Sequence, residues 1–566
     1  MNKWSAIFLF PAVLIITGCV HYQKNDKTND DMNDEFNKFV KEFDAKIKPL
    51  EKDAGIAYFD ASISGKDEDY DKSAALEIQI ENLYANKEDF ALLKKIKESG
   101  SICDSMQKRI LEALYNDFLS NQVDEKMLEE IVNLQNKIEK NFSVFRTDFN
   151  GKKMTDNEVE EMLKKSSNNS ELKNVWESCK KIGPVVAEDI KMLVKKRNEL
   201  AKQIGFSNYH EMSLKLSDQE PEDISRIFDE LDMLTRDVFV DLKNDIDNVL
   251  ADKYKISKED LMPWHYQNRF FQEAPQIYKI DLDKYYTDKD LIEITRNYYS
   301  GIGLDINDII DRSDLFEKEG KNQHAYCTDI DKEGDIRILC NVKPNYSWMN
   351  TMLHEFGHGV YDKYIDSQIP YTLRDPAHIF TTEAIAMLFG RLASNAQWMK
   401  DMLGISQEEK EKISEDGFKS MRLEQLVFSR WAQVMYRFEK NMYENPDQDL
   451  NKLWWDLVEK YQMIKKPADR NMPDWATKTH IASSPCYYHN YLLGELLASQ
   501  LFYYISDNII KSTDYRNNSF SDNKQIGVFL IENVFKPGAK WYWNDMIEKA
   551  TGEKLTAKYY AKQFVE

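Results

Sequence analysis

Residues 351–364 read TMLHEFGHGVYDKY. As a helix, the segment, with Met349 just before it, turns Met352, Leu353, Phe356, Val360 and Tyr361 toward a core. It also sets His354 and His358 one turn apart on a single face, because positions i and i+4 lie above one another. Two imidazoles on a buried face are costly unless something binds them. The pattern H-E-x-x-H supplies such a binder, with two imidazoles on one metal ion and Glu355 beside a bound water as general base. A hydrolytic site of this kind needs a third protein ligand and an open position. The fold must therefore bring a second buried helix against this one. IFTTEAIAMLFGRLA, residues 379–393, is that helix, with Glu383 set in an apolar surround where a carboxylate needs a cation. His378, in the loop-like RDPAH just before it, is the alternative ligand.

Helical periodicity continues on either side. EFNKFVKEFDAKI (35–47), VEEMLKKSSNNSELKNVWESC (159–179), IKMLVKKRNELAKQIGF (190–206) and DQEPEDISRIFDELDMLTRDVFVDL (218–242) all carry apolar residues at three- and four-residue spacing. No Pro/Gly/Ser-rich linker divides the interior, so one mainly helical, all-α unit is expected. QHAYCTDIDKEGDIRILCNV (323–342) differs. A turn-like DKEGD separates two extended runs, near Gln323–Thr328 and Asp335–Val342, which predict a β-hairpin just before the His354 helix. A strand edge there could take an extended peptide by strand addition.

The chain begins MNKWSAIFLFPAVLIITGC. Lys3, an apolar run too short for a confident membrane span, and Ile16-Thr17-Gly18-Cys19 resemble a lipoprotein leader whose cysteine is lipidated. The expected organisation is a leader over 1–19, a polar tether over 20–33 and one domain over 34–566. Cys19 would tie an exported protein to a membrane of the bacterial cell envelope. The 566 residues carry a net charge of −21. That acidity argues against nucleic acid as a partner.

These motifs together resemble the angiotensin-converting-enzyme family of zinc peptidyl-dipeptidases, from about Asp34 to the C-terminus. PYTLR (370–374) and TEAIA (382–386) follow the H-E-x-x-H helix at close to the family spacing. The resemblance implies a helical ellipsoid with a deep central channel and Zn2+ held by His354, His358 and Glu383. It also implies release of C-terminal dipeptides from oligopeptides. In QHAYC, His324 and the backbone of Ala325 would hold substrate. WHYQNRF and KTHIASSPCYYHNYLLGE imply Gln267, Lys478 and Tyr488 at the substrate carboxylate, with Tyr487 as the alternative tyrosine. His480 and Tyr491 would act at the oxyanion, chemistry suited to an N–H and a hydroxyl donor. A Cys327–Cys340 disulfide across the hairpin is also implied. Three positions depart from the family: Met387 stands where an aspartate supporting a zinc histidine is usual, and Val458 and Asn490 stand where animal members have chloride-site arginines. The thimet-type oligopeptidases share the zinc helix and are the rival enzyme reading. A peptide-binding lipoprotein without catalysis is the rival from another class, and the intact Glu355 argues against it.

Overall fold

The computed structural model describes residues 26–278 and 280–565. The leader and Cys19 lie outside these residues. Helices dominate: α1 (Asp26–Ser64), α2 (Ile182–Gln203), α3 (Pro221–Tyr254), α4 (Tyr346–Lys363), α5 (Ile379–Gly390), α6 (Gln407–Glu444) and α7 (His489–Tyr504) form the frame, with further helices between them. The mainly helical class expected from periodicity is what the chain adopts. Helix α1 starts at Asp26, inside the stretch expected to be a tether, so residues 26–33 are helical. None of the helices among the described residues is long and apolar enough to cross a membrane.

Local chemistry sets the ends of these helices. Pro221 opens α3 at the position where its missing N–H costs nothing. Ser406 and Glu409 cap the start of α6 reciprocally. Asn345 starts α4 by accepting the Trp348 amide. His378 starts α5 in the same way, with its side chain accepting the Phe380 N–H.

Most of the body shares one apolar core, running from Ile131 to Phe564 and including the inner faces of α2 to α7. A second, smaller core joins Phe36, Phe39, Phe43 and Ile47 of α1 to Leu114, Phe118, Tyr371 and Leu373. The N-terminal helices are thereby fastened to the segment between α4 and α5.

Two antiparallel two-stranded sheets interrupt the helices. β1 (Thr147–Phe149) and β2 (Lys152–Met154) turn through Asn150 and Gly151, both at positive φ. Asn-Gly is the strongest short hairpin signal, and the sequence reading passed over it. β3 (Tyr326–Asp329) and β4 (Ile336–Leu339) form the expected hairpin, packed on α4, with Cys327 opposite Ile338. That register defeats the expected disulfide. Cys340 lies two residues past the partner of Cys327, beyond the paired strand, and both thiols are free.

Candidate metal centre

The approach of α4 to α5 depends on Gly357. A Cβ there would sit 2.8 Å from the Ala386 Cα, a distance that side chains do not tolerate. Without that methyl the two helices press together, and the His354–His358 face meets Glu383. Gly494 does the same for α7, where a Cβ would come within 3.2 Å of both the Glu383 Cβ and the Met387 sulfur. Two glycines thus let three helices converge on one carboxylate.

The convergence leaves three donors together. His354 Nε2 and His358 Nε2 are 3.3 Å apart, and Glu383 Oε2 lies 3.7 Å from the first and 3.9 Å from the second. Ligands about 2 Å from a tetrahedral zinc stand a little over 3 Å from one another, so these separations fit such an ion without rearrangement. Among the described residues, His354, His358 and Glu383 are the one group of this kind. Burial draws the histidine pKa values down, to about 4 at His354 and about 3 at His358, which keeps both imidazoles neutral with a lone pair to offer. Burial, then the charge of Glu495, lifts Glu383 to about 7. A carboxylate crowded in this way is stabilised by a cation. His358 Nδ1 is held by Thr382 Oγ1 at 2.8 Å, a contact that orients the ring. The missing aspartate at Met387 is thus replaced, for this histidine, by a hydroxyl five residues earlier. His378, the alternative ligand, stands outside the trio as the cap of α5.

Glu355, on the next position of α4, is 92% buried. Burial first and the charge of Glu383 second raise its pKa to about 8, and the backbone N–H of Cys327 on β3 opposes them. The hairpin therefore touches the prospective base. His324, just ahead of β3, is exposed with its amide held by Asn322 Oδ1, and Ala325 is partly buried. Neither side chain joins the donor trio.

The tyrosines divide between two neighbourhoods. Tyr487 and Tyr491 pack edge to face at 5.3 Å, and the charge of Glu383 adds to burial in raising the pKa of each. Tyr488 also packs on Tyr491, at 5.5 Å, and reaches a second neighbourhood. Its hydroxyl accepts the Trp431 indole N–H at 2.8 Å, and its ring lies 5.4 Å from both Lys478 Nζ and the His480 ring. Of the two tyrosines the sequence left open beside Lys478, the structure places Tyr488 there. His480 has a pKa near 4, set by burial and then by Lys478, and its Nδ1 is buried without a partner.

Gln267, expected beside Lys478, has its side chain engaged elsewhere. Its backbone turns left-handed at φ 62, it is 96% buried, and its side-chain oxygen accepts the Gln276 N–H at 3.2 Å. Gln272 meets the lysine instead, with its Oε1 accepting from Lys478 Nζ at 2.6 Å. The signal was a second glutamine in the same loop, at a spacing that only the looped backbone selects. Lys478 is buried, and its pKa falls to about 8 through desolvation, then Arg269 and Lys180. Among the described residues no carboxylate pairs with it. At Asn490 a neutral network replaces the arginine of animal members, with Gln219 donating to Asn490 Oδ1 at 2.8 Å and bonding His489 Nε2 at 2.7 Å. Val458 is buried at the start of a π-turn.

Comparison with known proteins matches residues 30–564 to the family described as Angiotensin-converting enzyme (Peptidase_M2). The chain is 24% identical over 450 residues to an angiotensin-converting enzyme of Haematobia irritans exigua, covering 72% of each protein. It is 25% identical over 263 residues to thermostable carboxypeptidase 1 of Pyrococcus furiosus, covering 40% of this chain and 49% of that one. Against the angiotensin-converting enzyme of Rattus norvegicus it is 21% identical over 413 residues, 68% of this chain but 31% of the larger protein. The chain belongs to the angiotensin-converting-enzyme family and with it to the zinc metallopeptidases.

Proposed function

We propose that this metallopeptidase removes dipeptides from the free C-terminus of oligopeptides. One observation supports the reading above the rest. The donor trio with its adjacent buried Glu355 is joined, through Tyr491, Tyr488 and His480, to a buried ammonium that lacks a carboxylate of its own. A site that cuts near a C-terminus needs that combination of a hydrolytic centre and a waiting cation.

His354, His358 and Glu383 would hold zinc, which when bound lowers the pKa of water and polarises a carbonyl. With a cation on the donor trio to offset the burial that raises its pKa, Glu355 would be ionised; it takes a proton from the attacking water on a carboxylate oxygen and hands it to the departing amine nitrogen. The Tyr491 hydroxyl and His480 donate to the oxygen that gains charge when the carbonyl carbon becomes tetrahedral. Lys478 binds the terminal carboxylate, Gln272 holds the ammonium in place, and Tyr488 walls the pocket. His324 and Ala325, at the start of the hairpin edge, are assigned to holding the substrate. Mass-spectrometric product analysis of one peptide with free and amidated C-termini tests the reading. Dipeptide release from the free form and slow cleavage of the amide are expected. Equal internal cleavage of both would favour an oligoendopeptidase, and no cleavage of either would leave only a binding protein.

Ile16 to Cys19 supports a lipid anchor in the cell envelope. Cys19→Ser should move the protein out of the membrane fraction or leave it unprocessed, and an unchanged fractionation would refute the anchor.

A further inference from the structure

A cavity of about 240 Å³ lies at the far ends of α5 and α7. There α5 runs out into a tight turn over Arg391–Ser394, and α7 into a π-turn over Ile505–Ile510. Leu388, Leu392, Phe418, Met421 and Phe502 supply apolar wall. None of the lining residues is a metal donor, the prospective base or a member of the carboxylate pocket.

The charge of the lining is one-sided. Arg391, Arg516 and Lys562 line the cavity and no aspartate or glutamate does, in a chain whose 97 acids outnumber its 76 bases. Two of the three cations are matched by acids outside the lining. Arg391 is clasped by Glu495, with Ser499 Oγ at 3.2 Å and Gln563 Oε1 at 3.3 Å. Arg516 reaches Glu415 at 3.0 Å while lying 4.0 Å over the Phe418 ring. Lys562 is the exception. Its Nζ stands 4.2 Å from the centre of the Tyr503 ring and 4.6 Å from that of Tyr515, and it donates to the Tyr515 hydroxyl at 3.3 Å. Among the described residues no carboxylate lies within 4.0 Å of it. Asp507 is one step further on, accepting from that hydroxyl at 2.8 Å.

Apolar walls with a few convergent polar groups are what a small-molecule site requires. The tyrosine rings attract the ammonium but bring no anion to it. The complementary ligand is an apolar chain that ends in a carboxylate. Its chain would take the walls out of contact with water, and its head group would supply the charge that Lys562 lacks.

We propose that this cavity binds a medium-chain fatty acid, with the carboxylate at Lys562 and the chain along Leu392, Phe418 and Phe502. The site is separate from the peptide-cleaving centre. Arg391 joins the two, because its partner Glu495 stands one turn beyond Tyr491 on α7.

Octanoate, with octanol as its neutral twin, would be titrated calorimetrically into the zinc-loaded wild type, Lys562→Met and Lys478→Met. Wild type should bind octanoate saturably and octanol at least about 10-fold more weakly. Lys562→Met should weaken octanoate about 10-fold, the scale of one hydrogen bond to a charged group, and Lys478→Met should leave it unchanged. Absence of octanoate binding by wild type would overturn the proposal, as would equal affinity for octanoate and octanol, and both results stand even if Lys562→Met does not fold. An affinity unchanged in Lys562→Met would overturn it too. So would a loss in Lys478→Met instead, which would put the carboxylate in the substrate pocket.

Discussion

The metal centre and the carboxylate pocket are built by opposite means. The donors of the first come from two helices that lie close in sequence, and two of the three stand one helical turn apart on α4. The second joins Lys478 to Gln272, 206 residues away, through loops on both sides. A helix repeats its geometry wherever it forms, so the first can be read from spacing. A loop has no period, so the second depends on individual φ/ψ values such as the left-handed turn at Gln267. The first is also set by backbone approach at Gly357 and Gly494, and the second by a direct side-chain contact between distant loops.

The largest expected effect lies in the first region. Glu355→Gln should lower kcat by about 10²- to 10⁴-fold, the usual contribution of a general base, while the metal content stays at that of wild type. Glu383→Gln should lose much of the metal itself, measured by atomic emission on dialysed protein. Full metal retention there would remove Glu383 from the site.

The second region should respond more gently, and in KM. Gln272→Ala should raise KM for a free C-terminus by about 10-fold, close to the loss of one hydrogen bond to a charged group, with little change for an amidated peptide. Gln267→Ala should show no such selectivity and register instead in thermal stability. The reverse pattern would restore Gln267 to the pocket.

A smaller effect follows from Lys478. Its pKa is lowered to about 8, so the side chain is cationic below that pH and neutral above it. The kcat/KM for free C-termini should therefore fall as pH rises through about 8, with no matching fall in KM-linked terms for amidated peptides. Lys478→Arg should push this limb to higher pH, since a guanidinium stays charged. An unmoved limb would assign it to another group.

The smallest effect should be that of chloride. Val458 is apolar, and Asn490 is already occupied by the neutral chain through Gln219 and His489. Replacing acetate by chloride at constant ionic strength should change hydrolysis less than about two-fold, because a neutral amide is a weak partner for a desolvated anion. A steep saturable activation would show that another cation serves the anion.

The sequence alone determined the helical class, the hairpin ahead of α4 and the trio His354, His358 and Glu383 with Glu355 beside them. Each follows from a local period or from the cost of a lone polar group on an apolar face. Other assignments waited for the tertiary structure. Gln272 rather than Gln267 reaches Lys478, Tyr488 rather than Tyr487 walls that lysine, and His378 caps a helix. Cys327 and Cys340 miss each other by register, and Thr382 supports His358 in place of the absent aspartate. For the glutamines and the tyrosines, two residues of the same type stood a few residues apart. Spacing along a loop or a strand does not say which of them faces a partner brought in from elsewhere. That choice is made only when packed helices fix the backbone between them.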